Sequence, residues 1–343
     1  MKLKDLIESN NTGLDAIKRA PIVEYDTGIR CLRIGDISNN RPFNAWGYTE
    51  VEDNNYKKFQ LRKGDIIVAR TGATIGVNKY IDKDYKSVYN NGLIRIRVKE
   101  ENNPKYVYYL LQSNNYRNFI KTISTGTSTQ PNMQMNDLLN LEVPEFDRDK
   151  QDKIVQLLGN IDKKIELNNE INNNLLELSK QLYLNTFSNT SVFEEIKLGD
   201  LCNIKYGKNL PKTQILDSGY PVYGGNGIIG YYNSKLYDES QILVSCRGAA
   251  SGKVVLSKPK SFVTNNSLIL EVDRLYHHYL KEYCLLRPFF AYTTGSAQPQ
   301  ITIDNIKDII IKIPDATILE DFNSKCESIE IKYFLNIEQN KTL

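Results

Sequence analysis

Leu61–Arg97 reads LRKGDIIVARTGATIGVNKYIDKDYKSVYNNGLIRIR, and Leu236–Val272 reads LYDESQILVSCRGAASGKVVLSKPKSFVTNNSLILEV. Each stretch opens on an apolar run, Ile66-Ile67-Val68 against Ile242-Leu243-Val244, and continues into a Gly-Ala turn, Gly72-Ala73 against Gly248-Ala249. A second glycine follows (Gly76, Gly252), and then an Asn-Asn pair (Asn90-Asn91, Asn265-Asn266) ahead of another apolar run. Working outward, Lys2-Leu3-Lys4-Asp5-Leu6 parallels Lys197-Leu198-Gly199-Asp200-Leu201, and Tyr106–Leu111 parallels Tyr279–Leu286. Thr125-Gly126 with Gln130-Pro131 parallels Thr294-Gly295 with Gln298-Pro299. The offset shrinks from 195 residues at Lys2/Lys197 to 169 at Thr125/Thr294, so the copies differ by insertions and deletions in loops. So long a period marks a duplicated domain, because solenoid units run about 20–50 residues.

Within each copy, short β-branched and aromatic runs alternate with Gly, Asn and Asp turns, the pattern of a strand-rich lobe. Tyr106–Ile120 and Tyr276–Tyr292 read as helices, which makes each lobe α+β with a mainly antiparallel sheet. Asp149–Phe187 differs in kind: it is nearly free of Gly and Pro, and Ile154, Leu158, Ile161, Ile165, Leu175 and Leu182 fall on a 4-3 spacing. Asn168 and Asn172 lie in the same register. This is a heptad seam, and a helix of that length spans about 58 Å. Leu319, Phe322, Cys326, Ile329 and Tyr333 repeat the seam after the second lobe, on a segment of only about 37 Å. Since each helix closes a duplicated lobe, the pair is expected to associate as an antiparallel coiled coil. The expected organisation is a first lobe over 1–147, a central helix over 148–188, a second lobe over 189–315 and a short distal helix over 316–343.

Length and charge limit what the chain does. With 343 residues it has room for two domains. Its 44 basic and 41 acidic side chains leave a net charge of +3, far from the excess of a sequence-blind DNA coat. Any nucleic-acid contact must come from locally placed groups. The five cysteines are scattered, without a C-x-x-C pair, and read as buried thiols in a reducing compartment. His277 and His278 are adjacent and diverge on a helix or strand, so no metal site is expected from them. The charged N-terminus and the lack of a long apolar run point to a cytoplasmic protein without membrane contact.

No catalytic constellation emerges. Gly225–Gly230 matches G-x-G-x-x-G formally, but Tyr231-Tyr232-Asn233-Ser234 follows where a phosphate-binding helix is needed. Gly248–Lys253 has P-loop character with glycine spacing one residue short and Val254 in place of Ser/Thr. The Glu195-Ile196-Lys197 string lacks a partner aspartate at nuclease spacing. No amino-methyltransferase motif and no Ser/His/Asp or Cys/His set occurs, which favours a binder over an enzyme.

Two divergent lobes, each followed by a heptad helix, resemble the specificity subunit of type I restriction–modification systems. Leu32-Arg33-Ile34-Gly35-Asp36-Ile37, Tyr220-Pro221-Val222-Tyr223-Gly224-Gly225-Asn226-Gly227, the Leu157–Ile165 run and the Gln-Pro turns are similar to that family as well. The resemblance implies a non-catalytic subunit whose lobes each read half of a bipartite double-stranded DNA site, with the helices as spacer. It implies two modification subunits carrying S-adenosylmethionine, restriction subunits using ATP and Mg, and no cofactor in this chain. A coiled-coil scaffold that binds proteins without reading DNA, or a cryptic fused enzyme, are the other readings.

Base edges call for Arg, Lys, Asn and Gln, and phosphates for Lys, Arg, Ser, Thr and backbone amides. The candidates are Arg70, Thr71, Thr74 and Lys79 in the first Gly-Ala turn and Arg247, Ser251 and Lys253 in the second. Asn90, Asn91, Asn265 and Asn266 either contact DNA or shape their turns. Ser128 and Gln130, and Ser296 and Gln298, lie in the polar turns that end each lobe.

Overall fold

The structure, a computed structural model, describes residues 1–125, 132–188, 193–295 and 298–343. They divide into two compact units, Met1–Asp162 and Lys163–Leu343.

The first unit runs β1 (Ile7–Thr12), β2 (Ile22–Val23), β3 (Arg30–Leu32), α1 (Ile34–Ser38), β4 (Gly47–Thr49), α2 (Asp53–Phe59), β5 (Ile66–Ala69), β6 (Asn78–Tyr80), β7 (Ser87–Tyr89) and β8 (Leu93–Val98). Helices α3 (Pro104–Leu110), α4 (Asn114–Thr125), α5 (Met135–Leu139) and the start of α6 (Arg148–Phe187) follow. An antiparallel sheet in the order β1-β8-β5-β6 lies beside a second sheet, β2-β4-β3-β7, in which β3 and β7 are parallel. Alternation along β5 explains the layering. Ile66 and Val68 pack with Ile94, Ile96, Tyr106 and Val107 on the helical side, whereas Ile67 and Ala69 pack with Cys31, Trp46, Val88 and Tyr89 on the other.

The predicted helix over Tyr106–Ile120 is two helices. Asn103 caps α3 by accepting from the Lys105 and Tyr106 amides at 2.9 and 3.4 Å, with Pro104 in its first turn. Ser113 then accepts from the Tyr116 amide at 3.3 Å and starts α4. The break lets Tyr116 reach back and donate to the Gly76 carbonyl at 2.9 Å.

The second unit repeats the plan. After the end of α6 come β9 (Phe193–Lys197), α7 (Leu198–Leu201), β10 (Cys202–Tyr206), β11 (Tyr220–Gly224), β12 (Gly227–Tyr232), β13 (Ile242–Ser245), β14 (Val254–Leu256), β15 (Phe262–Val263) and β16 (Ser267–Val272). They are followed by α8 (Arg274–Leu286), α9 (Ile303–Ile306), β17 (Ile310–Pro314) and α10 (Ala316–Thr342). The sheets are β10-β16-β13-β14, β12-β11-β15 and the pair β17-β9. The predicted helix Tyr276–Tyr292 stops at Leu286, because Pro288 cannot continue it, and a separate 3-10 turn spans Phe289–Tyr292.

Helix α6 contributes to both cores. Ile154 and Val155 pack on the first unit's helical-side core, and Gln151 is buried there, donating to the Asn102 side chain at 2.8 Å. Tyr109 on α3 donates to Asp162 at 2.6 Å. Ile154, Leu158 and Ile161, expected in the seam with the distal helix, therefore sit in the part of α6 that belongs to the first unit.

Within the second unit α6 and α10 are antiparallel. Phe187 stacks edge-on against Phe322 at 5.0 Å, Asn336 donates to Asn172 at 2.9 Å, and Asn168 donates to Gln339 and Asn340 at 2.9 and 2.7 Å. Leu319, Phe322 and Cys326 are fully buried, while Ile165, Leu175, Ile329 and Tyr333 are half-buried. Where the spacing placed Leu182, the fully buried residues are Tyr183 and Phe187, with Leu182 at the margin. The seam is thus apolar at one end and built of amides at the other.

A buried ionic group lies where α8 meets this pair. His278 Nδ1 and Lys281 Nζ are each 3.4 Å from Glu330, Lys281 is 3.6 Å from Glu282, and Ser179 donates to Glu282 at 2.5 Å. Burial first, then the Lys281 ammonium, push the His278 imidazole down to about 4, with Glu330 pulling the other way and His277 and Arg274 adding to the lowering.

All five cysteines are buried and free. No helix is long and apolar enough to cross a membrane, and no group of three or more His, Cys, Asp or Glu could hold a metal, among the described residues.

Two stability outcomes follow. Replacing Asn336 alone by Leu strands the Asn172 carbonyl oxygen and is expected to cost about 1–3 kcal/mol, whereas the double Asn172→Leu/Asn336→Leu change recovers most of that loss. Urea unfolding of the full chain decides it, and a double variant no better than the sum of the singles refutes the pairing. For His278 the folded imidazole holds its proton more weakly than the unfolded one, near 6.5. Its stabilising effect is therefore complete above pH 6.5 and is lost as pH falls toward 4, a loss on the order of 3 kcal/mol. His278→Gln flattens that part of the pH–stability profile; an unchanged slope would refute it.

Candidate nucleic-acid interface

Each unit gathers several loops at the ends of β5 and β8, or of β13 and β16, and the same backbone hydrogen bonds tie them. In the first unit the Ala69 amide donates to Val77, Gly76 to Ala69, Arg70 to Gly92, and Met133 to Arg70. In the second, Ser245 donates to Lys253, Gly252 to Ser245, Cys246 to Asn266, and Ile301 to Cys246. These bonds make Ala69 equivalent to Ser245, and hence Thr71 to Arg247 and Asn132 to Gln300. Bridges join Thr71 to Asn132 and Arg247 to Gln300.

The frame keeps one sequence pairing and corrects another. Thr71 corresponds to Arg247, as the alignment of Gly72 with Gly248 has it. The Asn-Asn pairs are offset by one residue: the Leu14 amide donates to Tyr89 and Lys208 to Val263, so Asn91 matches Asn265 and Gly92 matches Asn266. Identical side chains had aligned the turns, but strand pairing sets the true register.

Glycines make the turns possible. Gly72 and Gly248 have φ of +79° and +77° with open space where a Cβ would go. Gly76 and Gly252, at +85° and +88°, are enclosed: a Cβ on Gly76 would meet Ile120 at 2.8 Å, and one on Gly252 would meet the Phe290 amide nitrogen at 2.6 Å.

The candidates divide by exposure. Arg247, Lys253, Asn91, Asn266 and Gln298 are exposed. Arg70, Thr71, Thr74, Lys79, Asn90 and Asn265 are half-buried. The Arg70 guanidinium donates to Asn132 at 3.2 Å, and Lys79 to Asn40 at 3.4 Å. Ser251 is buried, 3% exposed, and its hydroxyl points away from any surface contact. It occupies the position of Ile75, an inward side of the turn, and is withdrawn as a DNA-facing residue. Ser128, Gln130 and Ser296 lie outside the described residues.

Sequence reasoning missed Asn226, Gln300, Asn132 and Asn40. Asn226 was hidden inside the G-x-G-x-x-G string, where glycines drew attention from the one polar side chain; that string is the β11–β12 turn. Gln300 follows the Gln-Pro pair, and its bridges to Arg247 and Thr294 mark it.

Among the described residues, 70–77, 90–92 and 132, their counterparts 245–253, 264–267 and 298–300, and the 224–227 turn of the second unit contain no Asp or Glu, although the chain has 41. Arg70 and Arg247, Lys253 and a set of amides are left to define the local field. Such a surface attracts an anion and offers directional donors, the combination that phosphates and base edges require.

Residues 1–177 and 191–335 match the family model described as the type I restriction modification DNA specificity domain. The chain is 25% identical over 293 residues to the type I restriction enzyme MjaIX specificity subunit of Methanocaldococcus jannaschii, covering 73% of this chain and 68% of that one. It is 24% identical to the MjaX specificity subunit (putative) of the same organism, covering 91% and 82%. The crystal structure of the type I restriction–modification S subunit from M. genitalium superposes with a TM-score of 0.56 at 18% identity, over 100% of this chain and 91% of that one. This likeness shows the shared fold.

The enclosed and open glycines give a paired outcome. Gly248→Ala is expected to cost about 1–2 kcal/mol, the left-handed backbone penalty alone. Gly252→Ala adds a collision with main chain and is expected to cost more than about 3 kcal/mol. Equal losses in urea unfolding would refute the enclosed placement of Gly252.

Proposed function

Because the chain belongs to the family of type I restriction modification DNA specificity domains, a non-catalytic sequence-recognition subunit, we propose that each of its units reads one half of a split DNA site. The observation that carries this reading is one backbone frame used twice with different side chains on it. Thr71 and Arg247, Asn132 and Gln300, and Gly92 and Asn266 occupy equivalent positions. Equal frames suit two similar duplex segments, and unequal donors suit two different sequences. The stretch of helix joining the units sets the unread gap.

Members of this family bind DNA and work with methyltransferase and restriction subunits. In our reading two modification subunits serve one such chain, bringing S-adenosylmethionine and the methylation chemistry, and restriction subunits bring ATP and Mg. The scaffold alternative has no observation in its favour.

The test is co-expression with the cognate methyltransferase and mapping of methylated bases in host DNA. A split motif with a fixed gap is expected; a continuous motif, or no methylation, overturns the reading. Arg247→Ala is expected to lower or relax methylation at one half-site by on the order of tenfold, consistent with losing one good base contact. Unchanged methylation at both halves would remove Arg247 from the interface.

A further inference from the structure

The β11–β12 turn puts a polar side chain at the edge of the second unit's loop cluster. Gly224 pairs with Gly227, leaving Gly225 and Asn226 as a two-residue loop. Gly225 has no room for a side chain: a Cβ there would lie 2.8 Å from Ser245 Oγ and 3.2 Å from the Asn266 carbonyl. The turn is thus seated against the strand ends that carry Arg247 and Asn266. Gly227 takes φ +122°, which closes it. Asn226 is exposed, and its backbone position is fixed on both sides.

Lys253 donates to Asn226 Oδ1 at 2.6 Å. Its own backbone is held by bonds from its amide to Ala250 and from the Ser245 amide to its carbonyl, 2.9 and 2.8 Å. An ammonium group has donors only, so the amide oxygen must face it and the two N–H hydrogens of Nδ2 must turn outward. An unrestrained Asn presents one donor and one acceptor, the pattern that fits adenine. An Asn whose oxygen is already held by an ammonium keeps one lone pair, but its two Nδ2 hydrogens are wholly unspent, so its remaining capacity is weighted toward donation.

We propose that Asn226 is a specificity-determining residue that reads an acceptor-bearing base edge, guanine O6/N7 or thymine O4, and that Lys253 is its positioning residue. This rests on the split-site reading above. Phosphate oxygens share the acceptor chemistry, and the experiment separates the two.

The full chain is co-expressed with its methyltransferase, and base preference is mapped for the parent, Asn226→Asp and Lys253→Met. Asp keeps an oxygen for Lys253 and replaces the outward donors by an acceptor. The expected result is a loss of preference for G or T, on the order of tenfold, at one base pair of one half-site. Lys253→Met relaxes the same base pair, because the freed amide can rotate. The other half-site, read by the first unit, keeps its preference and reports that the complex has assembled. If Asp at the turn abolishes methylation altogether, Asn226→Ala carries the same test.

Unchanged preference in all variants overturns the proposal. So does a uniform decline over all sequences with preference intact, the signature of a phosphate contact. A parent that methylates no split motif defeats the split-site reading instead, before any variant is compared.

Discussion

Helix α6 has to bury two different stretches of its length, each in a different core, along one continuous helix. Its early turns supply Ile154, Val155 and Gln151 to the first core, and its late turns supply Tyr183 and Phe187 to the second. Each core is incomplete without its share of the helix. Both repeats therefore depend on a single element that neither could specify alone, and the helix is longer than either lobe needs. The distal helix α10 packs only on the second core.

The polar half of the α6–α10 seam follows from the same arrangement. Near the second core, aromatic rings fill the space between the helices. Farther along, Asn168, Asn172, Asn336 and Asn340 replace them, and their amides donate to one another, to Gln339 and Asn169, or to the Tyr333 carbonyl. Matched amides contribute less stability than leucines would, but they accept few alternative partners. A fully apolar seam with an uneven partner would invite association with other chains.

Much of this was legible in the sequence. The duplicated strands, the Gly-Ala turns and both long helices stood out because periodicity and glycine placement follow directly from backbone geometry. What failed did so for specific reasons. Val88 and Val263 align by identity, yet Tyr89 and Val263 occupy equivalent backbone positions, since register is a property of hydrogen bonding between strands distant in sequence. Ser251 looked like a surface hydroxyl in a turn, but the neighbouring Gly252 presses against the Phe289–Phe290 backbone and carries it inside. Ile154 fitted the heptad perfectly well and packs on another core, because spacing defines a helix face without naming what covers it. Asn226 was passed over because its glycine neighbours suggested a nucleotide loop, and only its contact with Lys253 distinguishes it. The acid-free loops were readable from residue identities alone, although the near-neutral whole chain concealed them.

The cysteines carry a practical consequence. All five are buried, and burial pushes Cys31 and Cys202 up to about 12 and Cys326 up to about 11, with Cys246 and Cys284 raised as well. Thiolate is the reactive form, so these side chains are chemically silent near neutral pH. A single cysteine introduced on an exposed loop would then be the one nucleophilic thiol in the folded chain. Spectroscopic labels could be attached there without first removing native residues from two packed cores, and the protein comes ready for site-directed distance measurements.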